Sequence, residues 1–298
     1  MEEEILQGQE IKSVQWFPGH MARARRQIEQ SLKLVDIVIE LTDARIPVSS
    51  RNPVLDSIIR NKPRIVVLNK FDMADPVQTD RWVNWYKNKG ITAVALDCKS
   101  GKAVNRLAPA VRQVLAPQIA KWEAKGMVGR PIRAMIVGIP NVGKSSLINK
   151  MCAGGKTGKA EVRDQPGVTR RNAWFTAGKG FELLDTPGVL WPKFEDQTVG
   201  RRLAFTGAVR DDIMDTEGLA ALLLKELSGL YPKELCARYK LDNPNFDELQ
   251  GWEILEMVGR KRGMLISGGE IDTERAANMV LDEFRGARIG RITLEQQG

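Results

Sequence analysis

The stretch IVGIPNVGKSSLINK at residues 136–150 decides the fold. From Gly138 to Ser145 it fits the pattern G-x-x-x-x-G-K-[ST], and it stands between a predicted strand and a predicted helix, as a P-loop requires. Glycines let backbone N–H groups turn onto phosphate oxygens, and the N-terminus of the following helix adds its positive dipole end. We therefore expect a nucleotide phosphate site in which Lys144 reaches the β and γ phosphates and Ser145 holds Mg²⁺. A Gly-rich turn without a ligand is the alternative.

Short β-branched runs bounded by turn residues lie on both sides of this stretch, and helical patterns separate several of them. Continuous apolar runs this short fit strands buried on both faces of a sheet. The predicted strands are 35–41, 64–68, 91–96, 132–137, 172–176 and 181–184, and the predicted helices are 21–33, 53–61, 77–89, 104–120 and 144–152. This alternation predicts an α/β fold with βαβ units and a mainly parallel sheet.

The motif D-T-P-G at residues 185–188 closes the predicted strand FELLD. Its carboxylate, Asp185, would stand at the C-terminal edge of the strand, where parallel sheets bind ligands. We expect Asp185 to act at Mg²⁺ and the N–H of Gly188 to approach a γ-phosphate. A surface turn is the alternative for this motif alone.

The motif N-K-F-D follows the strand RIVVL and has the groups that guanine recognition requires. A carboxylate, here Asp72, accepts from the two adjacent N–H donors of guanine, and a buried Asp72 would reject adenine because it would stay unpaired. The stem of Lys70 can lie along the base, and Asn69 can tie this loop to the phosphate loop. An ordinary polar turn is the alternative.

After about residue 207 the strand patterns stop, and the segments TEGLAALLLKELSGL, PKELCARY, FDELQGWEILEMVGRKRG and DTERAANMVLDEFRGAR show helical periodicity. We expect an all-helical C-terminal domain. The predicted divisions are 1–206 for the α/β domain, with a base-recognition half at 14–120, a linker at 121–131 and a phosphate-binding half at 132–206, and 207–298 for the helical domain.

Charge, cysteine and histidine counts and hydropathy restrict the classes of function that the chain can have. The 298 residues carry a formal net charge of +8, which suits a polyanionic partner but also a merely basic soluble protein. The three cysteines and one histidine indicate neither a disulfide framework nor a zinc site. No apolar run is long enough to span a membrane, and the acidic N-terminus predicts no secretory signal, so we expect a cytoplasmic protein without membrane contact.

The P-loop, the threonine of QPGVTR, D-T-P-G and N-K-F-D together resemble the translation-factor-related GTPases. Their order, with the base-reading motif first, resembles the circularly permuted subfamily, whose motifs run G4-G5-G1-G2-G3. The segments WFPGHMARA, LTDARIP and GRKRGMLISGGEID are similar to the ribosome biogenesis GTPase A (YlqF-type) family. The resemblance covers roughly residues 14 to 293.

The resemblance implies several site residues. It makes Thr169 the switch I threonine, which would close over Mg²⁺ and the γ-phosphate. It places the third nucleotide loop at Asp97-Cys98-Lys99, where the Cys98 N–H would meet guanine O6, although aspartate replaces the usual serine. The predicted GTP contacts are Asn69, Lys70, Phe71, Asp72, Asp97, Cys98, Lys99, Asn141, Val142, Gly143, Lys144, Ser145, Ser146 and Gly188, and the predicted Mg²⁺ ligands are Ser145, Thr169 and Asp185.

The resemblance also bears on catalysis, because the residues after Gly188 lack the usual water-orienting glutamine. It implies that His20 replaces this glutamine in orienting the attacking water. The alternative for His20 is a capping or packing role at the start of a helix. It links Asn141 to a bound K⁺, whereas Asn141 as a brace of the loop is the alternative. The predicted catalytic residues are His20, Lys144, Thr169 and Gly188.

Two basic clusters would contact rRNA phosphates, with a solvated basic face as the alternative. They consist of Arg23, Arg25, Arg26, Arg260, Lys261 and Arg262. The resemblance implies a GTPase that binds the maturing large ribosomal subunit and leaves after hydrolysis. We expect it to be a monomer. A GTP-binding RNA module with little turnover and a P-loop small-molecule kinase are the alternatives.

Overall fold

A computed structural model describes most of the chain. The described residues are 26–59, 62–153, 162–163, 174–178, 180–186, 196–209, 215–242 and 245–297. They fall into two compact units, one within Trp16–Pro192 and one within Lys193–Gln296. Among the described residues, no helix is long and apolar enough to cross a membrane.

The first unit is built on a sheet in which seven strands are described. They are β1 (Ile37–Asp43), β2 (Arg64–Asn69), β3 (Thr92–Leu96), β4 (Ile132–Gly138), β5 (Val162–Arg163), β6 (Trp174–Ala177) and β7 (Phe181–Asp185). Their order is β3-β2-β1-β4-β7-β6-β5. The first five strands in this order pair in parallel, whereas β6 pairs antiparallel with both β7 and β5. The expected α/β fold with a mainly parallel sheet is confirmed.

One helix precedes β1, and the other helices of this unit lie between its strands in the chain. They are α1 (residues 26–32), α2 (Pro53–Ile59), α3 (Pro76–Asn88), α4 (Leu107–Val114), α5 (Ala116–Ala124) and α6 (Lys144–Ala153). Every residue of β1 is buried, which fits the apolar residues at its start, Ile37–Ile39, on a strand covered on both faces. Ile28 and Leu32 of α1 pack against β1 and β4 in one apolar cluster, and Trp82 and Tyr86 of α3 pack against β2 in another.

The connection between β3 and β4 differs from the sequence prediction. A single helix over 104–120 was expected, but a 3₁₀ turn at Val104–Arg106 precedes α4, and α5 follows after Leu115. Pro117 lies in the first turn of α5, where a proline without an N–H group is tolerated and where it cannot continue a preceding helix. The predicted linker at 121–131 therefore begins inside α5.

The second unit is helical in its described residues. Its helices are α7 (Gln197–Phe205), α8 (Thr216–Leu230), α9 (Pro232–Tyr239), α10 (Gly251–Lys261) and α11 (Thr273–Arg285). The Asp215 and Asp272 side chains cap α8 and α11, as the predicted acidic starters require. Leu223, Leu224 and Leu227 of α8 are buried among the other helices.

Helix α7 belongs to this helical unit, although the domain boundary was predicted at residue 207, beyond its end. Arg202 of α7 forms ion pairs with Glu226 of α8 and with Glu295. Arg285 of α11 donates to the carbonyls of Ala204 and Phe205 at the end of α7. These contacts assign α7 to the helical unit, which therefore includes residues before the predicted boundary at 207.

Candidate guanine-nucleotide site

Three of the predicted nucleotide loops meet at one edge of the sheet because β2, β3 and β4 are parallel and each loop follows the C-terminal end of its strand. The buried side chain of Asn69 joins them. Its Nδ2 donates to the Val142 carbonyl of the P-loop at 2.6 Å, and its Oδ1 accepts the N–H of Cys98 at 2.9 Å. The expected tie between the N-K-F-D loop and the phosphate loop is therefore present, and the same side chain also ties the third loop.

The P-loop is closely packed at its glycines. A Cβ on Gly138 would lie 2.7 Å from the Leu41 carbonyl of β1. Gly143 has φ +107°, and a Cβ there would overlap the Asn69 amide. Asn141 takes a left-handed φ of 57°, which asparagine tolerates better than most residues. The loop therefore needs glycine at Gly138 for space and at Gly143 for both space and conformation.

The Lys144 ammonium group lies within the loop that it follows. It donates to the carbonyls of Gly138 at 3.2 Å and Ile139 at 3.0 Å. Burial lowers the pKa of Lys144 to about 8, and the charge of Asp185 opposes this effect. Val142 is buried, whereas the hydroxyls of Ser145 and Ser146 stand on exposed residues in the first turn of α6, at the positive end of its dipole.

Asp185 ends β7, where it pairs in register with Ile136 of β4. The next residue, Thr186, donates to the Ile136 carbonyl at 2.6 Å and fixes this strand end beside the P-loop. Burial raises the pKa of Asp185, and the charge of Lys144 opposes the shift. Its Oδ1 is buried, and within the described residues it has no hydrogen-bond partner. A carboxylate oxygen of this kind fits a role toward Mg²⁺ or its water ligands.

The residues of the N-K-F-D loop differ in their burial and in their contacts. Lys70 has φ 60°, and its Nζ forms an ion pair with Asp43 Oδ2 at 2.9 Å. Phe71 is half-buried, and the Lys102 ammonium group lies 5.4 Å from its ring centroid. Asp72 is exposed at the C-terminal edge of the sheet, where its carboxylate is accessible to a base. Its burial against guanine stays a prediction.

The third loop, Asp97-Cys98-Lys99, explains how aspartate can replace serine. Asp97 accepts the N–H groups of Lys99 and Ser100, both at 2.8 Å, and so closes the turn by itself. Burial would raise the pKa of Asp97, but the hydrogen bonds from Ser100 and Lys99 outweigh it and lower the pKa. Because the Cys98 N–H already donates to Asn69, its contact with guanine O6 stays a prediction.

Comparison with known proteins is consistent with this geometry. A protein-family model described as "50S ribosome-binding GTPase" matches residues 133–226. Ribosome biogenesis GTPase A of Bacillus cereus is 48% identical over 95% of this chain and 93% of its own length. The protein of the same name from Priestia megaterium is 49% identical over 95% of this chain and 96% of its own length.

The chain belongs to the ribosome biogenesis GTPase A family. A crystal structure of GNP-bound YlqF from T. maritima superposes with a TM-score of 0.62 at 27% identity, covering 92% of this chain and 98% of that one. Members of the family are named GTPases, and the chain is a GTPase by this relationship. The expected permutation is also confirmed, since the base-reading loop after β2 precedes the P-loop after β4 in the chain.

Five predicted functional residues of this GTPase lie outside the described residues. They are His20, Arg23, Arg25, Thr169 and Gly188. Their roles stay predictions.

The basic residues at the end of α10 differ in their intramolecular contacts. Lys261 forms an ion pair with Asp242. Arg262 donates to the Arg238 carbonyl at 3.2 Å, and its guanidinium lies 5.4 Å from the Tyr239 ring centroid. Arg260, like Arg26 on α1, is exposed, and it makes no side-chain hydrogen bond or ion pair within the described residues. Arg260 is therefore the member of this cluster most available to a partner.

Asp43 is the residue of this site that sequence reasoning did not assign. It belongs to the segment LTDARIP, which had been used for the family resemblance alone. The signal that points to it is an aspartate at the C-terminal end of a buried strand, the edge at which parallel sheets bind ligands.

Proposed function

We propose that the chain is a GTP-hydrolysing assembly factor that binds the maturing large (50S) ribosomal subunit and is released after hydrolysis. The observation that carries the nucleotide part is the double hydrogen bond of Asn69, which assembles the base-reading, third and phosphate loops into one site. The ribosomal part is supported by the chain's membership of a family whose members are named for ribosome biogenesis.

Different residues of the site would bind the phosphates, the base and the metal ion. The P-loop N–H groups and Lys144 would hold the β and γ phosphates, while Asp72 would pair with the two N–H donors of guanine. Ser145, Thr169 and Asp185 would hold Mg²⁺, whose chemistry is to neutralise charge on the phosphate oxygens. The proposed K⁺ beside Asn141 would add charge at the same phosphates, and equal hydrolysis rates in K⁺ and Na⁺ would remove it from the proposal.

The remaining catalytic roles follow the sequence predictions. His20 would orient the attacking water, since no glutamine follows Gly188. Thr169 and Gly188 would bind the γ-phosphate and thereby order their segments, and hydrolysis would release them. GTP would then favour the particle-binding conformation, and the equilibrium would shift only as far as GTP and GDP differ in their affinity for the two conformations.

The proposed rRNA contacts are the basic clusters on the first helix and at the end of α10. Arg260 is a good candidate because it is exposed and makes no side-chain hydrogen bond or ion pair within the described part of the chain. Lys261 and Arg262 would have to give up part of their contacts with Asp242 and with Arg238 and Tyr239. We further propose that the protein acts as a monomer in the cytoplasm.

Co-sedimentation with separated ribosomal subunits tests the proposal. The GTPase should sediment with large subunits, and most strongly with immature ones, in a non-hydrolysable GTP analogue, and it should stay in the supernatant with GDP or without nucleotide. Equal binding in all three conditions would favour an RNA-binding module with little turnover.

Product analysis separates hydrolysis from phosphoryl transfer. A hydrolase releases free phosphate in an amount equal to the GDP formed, and no phosphorylated small molecule appears. A phosphorylated acceptor would instead identify a kinase, the remaining alternative.

A further inference from the structure

The motif LTDARIP at residues 41–47 has no role in the functions described above. It ends β1, and its aspartate, Asp43, pairs in register with Asn69 of β2. Asp43 is thus one strand away from the residue that joins the nucleotide loops. The Ala44 N–H donates to the Asn69 carbonyl at 2.8 Å, so the backbone after β1 is tied to the start of the base-reading loop.

The carboxylate of Asp43 is held in a fixed orientation by Arg45. Its Oδ1 accepts from both the backbone N–H and Nε of Arg45 at 3.0 Å, and its Oδ2 accepts from Nη2 at 2.8 Å. The two side chains are only 3% and 2% exposed. The Asp43 N–H donates to Ser50 Oγ at 2.9 Å. A bidentate arginine pair of this kind fixes geometry as well as charge.

The same carboxylate holds Lys70, the lysine of the N-K-F-D motif. Asp43 Oδ2 lies 2.9 Å from Lys70 Nζ, and the lysine side chain is 23% exposed. Burial would raise the pKa of Asp43, but the positive charges of Arg45 and Lys70 hold it well below its usual range. The carboxylate is therefore an anion throughout the physiological pH range, and the ion pair does not depend on a bound ligand.

Lys70 has a left-handed φ of 60° between Asn69, which fixes the loops, and Asp72, which faces the open edge. With its backbone and its ammonium group both fixed, the aliphatic stem between them is also restricted. A lysine held in this way loses little further side-chain freedom when a flat ring packs against its stem.

We propose that Asp43 is a positioning residue for guanine binding, whose carboxylate holds the Lys70 ammonium group and so presets the lysine stem beside the base. The inference rests on the proposed binding of GTP. It assigns a contribution to guanine recognition to a residue outside the nucleotide loops. If Asp43 only stabilised the end of β1, its loss would weaken binding of every ligand of the site. If it positions Lys70, its loss affects only ligands that carry the base.

The test compares GDP with inorganic pyrophosphate, which engages the phosphate loop without a base. Asp43→Asn should lower GDP affinity about tenfold and leave pyrophosphate affinity within about twofold. In a Lys70→Met background, the same substitution should change GDP affinity by less than about twofold, because residues that act through one contact are not additive. The matched control is Asp36→Asn, at the residue that immediately precedes the other end of β1, and it removes the ion pair with Arg130. It should leave the ratio of the two affinities unchanged.

Three results would overturn the proposal: unchanged GDP affinity in Asp43→Asn, an equal loss of pyrophosphate affinity, or the same loss of GDP affinity in both lysine backgrounds. If Asp43→Asn does not fold, Lys70→Met alone decides, because it breaks the ion pair and leaves the buried Asp43–Arg45 pair intact. A selective loss of GDP affinity in Lys70→Met supports the proposal, and no loss refutes it. A wild-type chain without GDP affinity would refute the proposed function and the positioning role with it.

Discussion

At the scale of single residues, the assembly of the site depends most on Asn69. Asn69→Ala would leave the Val142 carbonyl and the Cys98 N–H without their buried partner, at a cost of about 1–3 kcal/mol for each group. We expect urea unfolding to show that loss of stability and GDP affinity to fall at least about tenfold, because the three loops lose their common tie. Asn278→Ala is the control, since its exposed side chain makes one hydrogen bond, to the Glu274 carbonyl. Wild-type GDP affinity in Asn69→Ala would contradict this prediction.

The thiol of Cys98 gives a pH-dependent prediction. Burial, with the charge of Asp97, raises its pKa from 9.0 to about 12, and the charge of Lys70 opposes the shift. The reactive thiolate is therefore scarce in the folded chain at pH 8. Iodoacetamide followed by peptide mass mapping should modify the half-buried Cys236 well before Cys98, and unfolding in urea should remove the difference.

The same shift predicts how stability changes in alkali. Above pH 9 the unfolded chain ionises Cys98 while the folded chain keeps it neutral, so its contribution to stability falls as pH rises toward about 12. Cys98→Ala should reduce this alkaline loss of stability. Equal modification of Cys98 and Cys236 in the native chain at pH 8 would show that the thiol is accessible and ionised, contrary to both expectations.

The predicted role of His20 is tested by its effect on turnover alone. His20→Ala should lower ribosome-stimulated GTP hydrolysis by about 10²–10⁴-fold, the usual contribution of a general base, and leave GDP affinity unchanged. His20→Gln, which can still orient water by hydrogen bonding, should retain more activity than the alanine variant. Unchanged turnover in His20→Ala would instead favour a capping or packing role.

At the scale of secondary-structure elements, the crossing of α8 and α10 depends on one glycine. A Cβ at Gly251 would overlap the Ala221 carbonyl of α8. Gly251→Ala should therefore destabilise the helical unit by about 1–3 kcal/mol, as overpacking does. Unfolding curves and GDP titration measure both consequences, and GDP affinity should be retained because the nucleotide loops belong to the other unit.

A matched control for this substitution lies on α8 itself. A Cβ at Gly229 would have no atom within 4 Å, so Gly229→Ala should raise stability slightly by restricting the unfolded chain. If the two variants had the same stability, close packing of α8 against α10 would not be the reason for glycine at 251.

Much of this element structure was predictable because each element has a local signal. The run TEGLAALLLKELSGL corresponds to α8 from its first residue to its last, with Asp215 as the capping residue before it. The two-residue strand β5 was missed because so short a segment has no periodicity. The tie of Asn69 was predictable from the motif, whereas the Asp43–Lys70 pair was not. That pair depends on the register of β1 against β2, and a register cannot be read from apolar runs alone.

At the scale of the whole molecule, the permuted order makes the D-T-P-G segment lead into α7 and the helical unit. Helix α7 is fixed to that unit through Arg202 and Arg285, so it is expected to move with the helices rather than with the sheet. A flexible insertion near residue 207 would separate α7 from α8 and damage the helical unit. We infer that this direct link transmits the nucleotide state to the helical unit, and the point at which to interrupt it is therefore between residues 192 and 196.

We predict that a flexible insertion of about ten Gly/Ser residues at that point abolishes the difference between GTP analogue and GDP in co-sedimentation with large subunits, while GDP affinity is retained. The reason is that a flexible chain transmits no displacement from the D-T-P-G segment to α7. The same insertion between Gly126 and Gly129 is the control, because it lengthens an open loop of the sheet unit with free space around both glycines. Nucleotide-dependent binding that survives the first insertion would mean that the direct link is unnecessary and that the nucleotide state reaches the particle through the sheet unit itself.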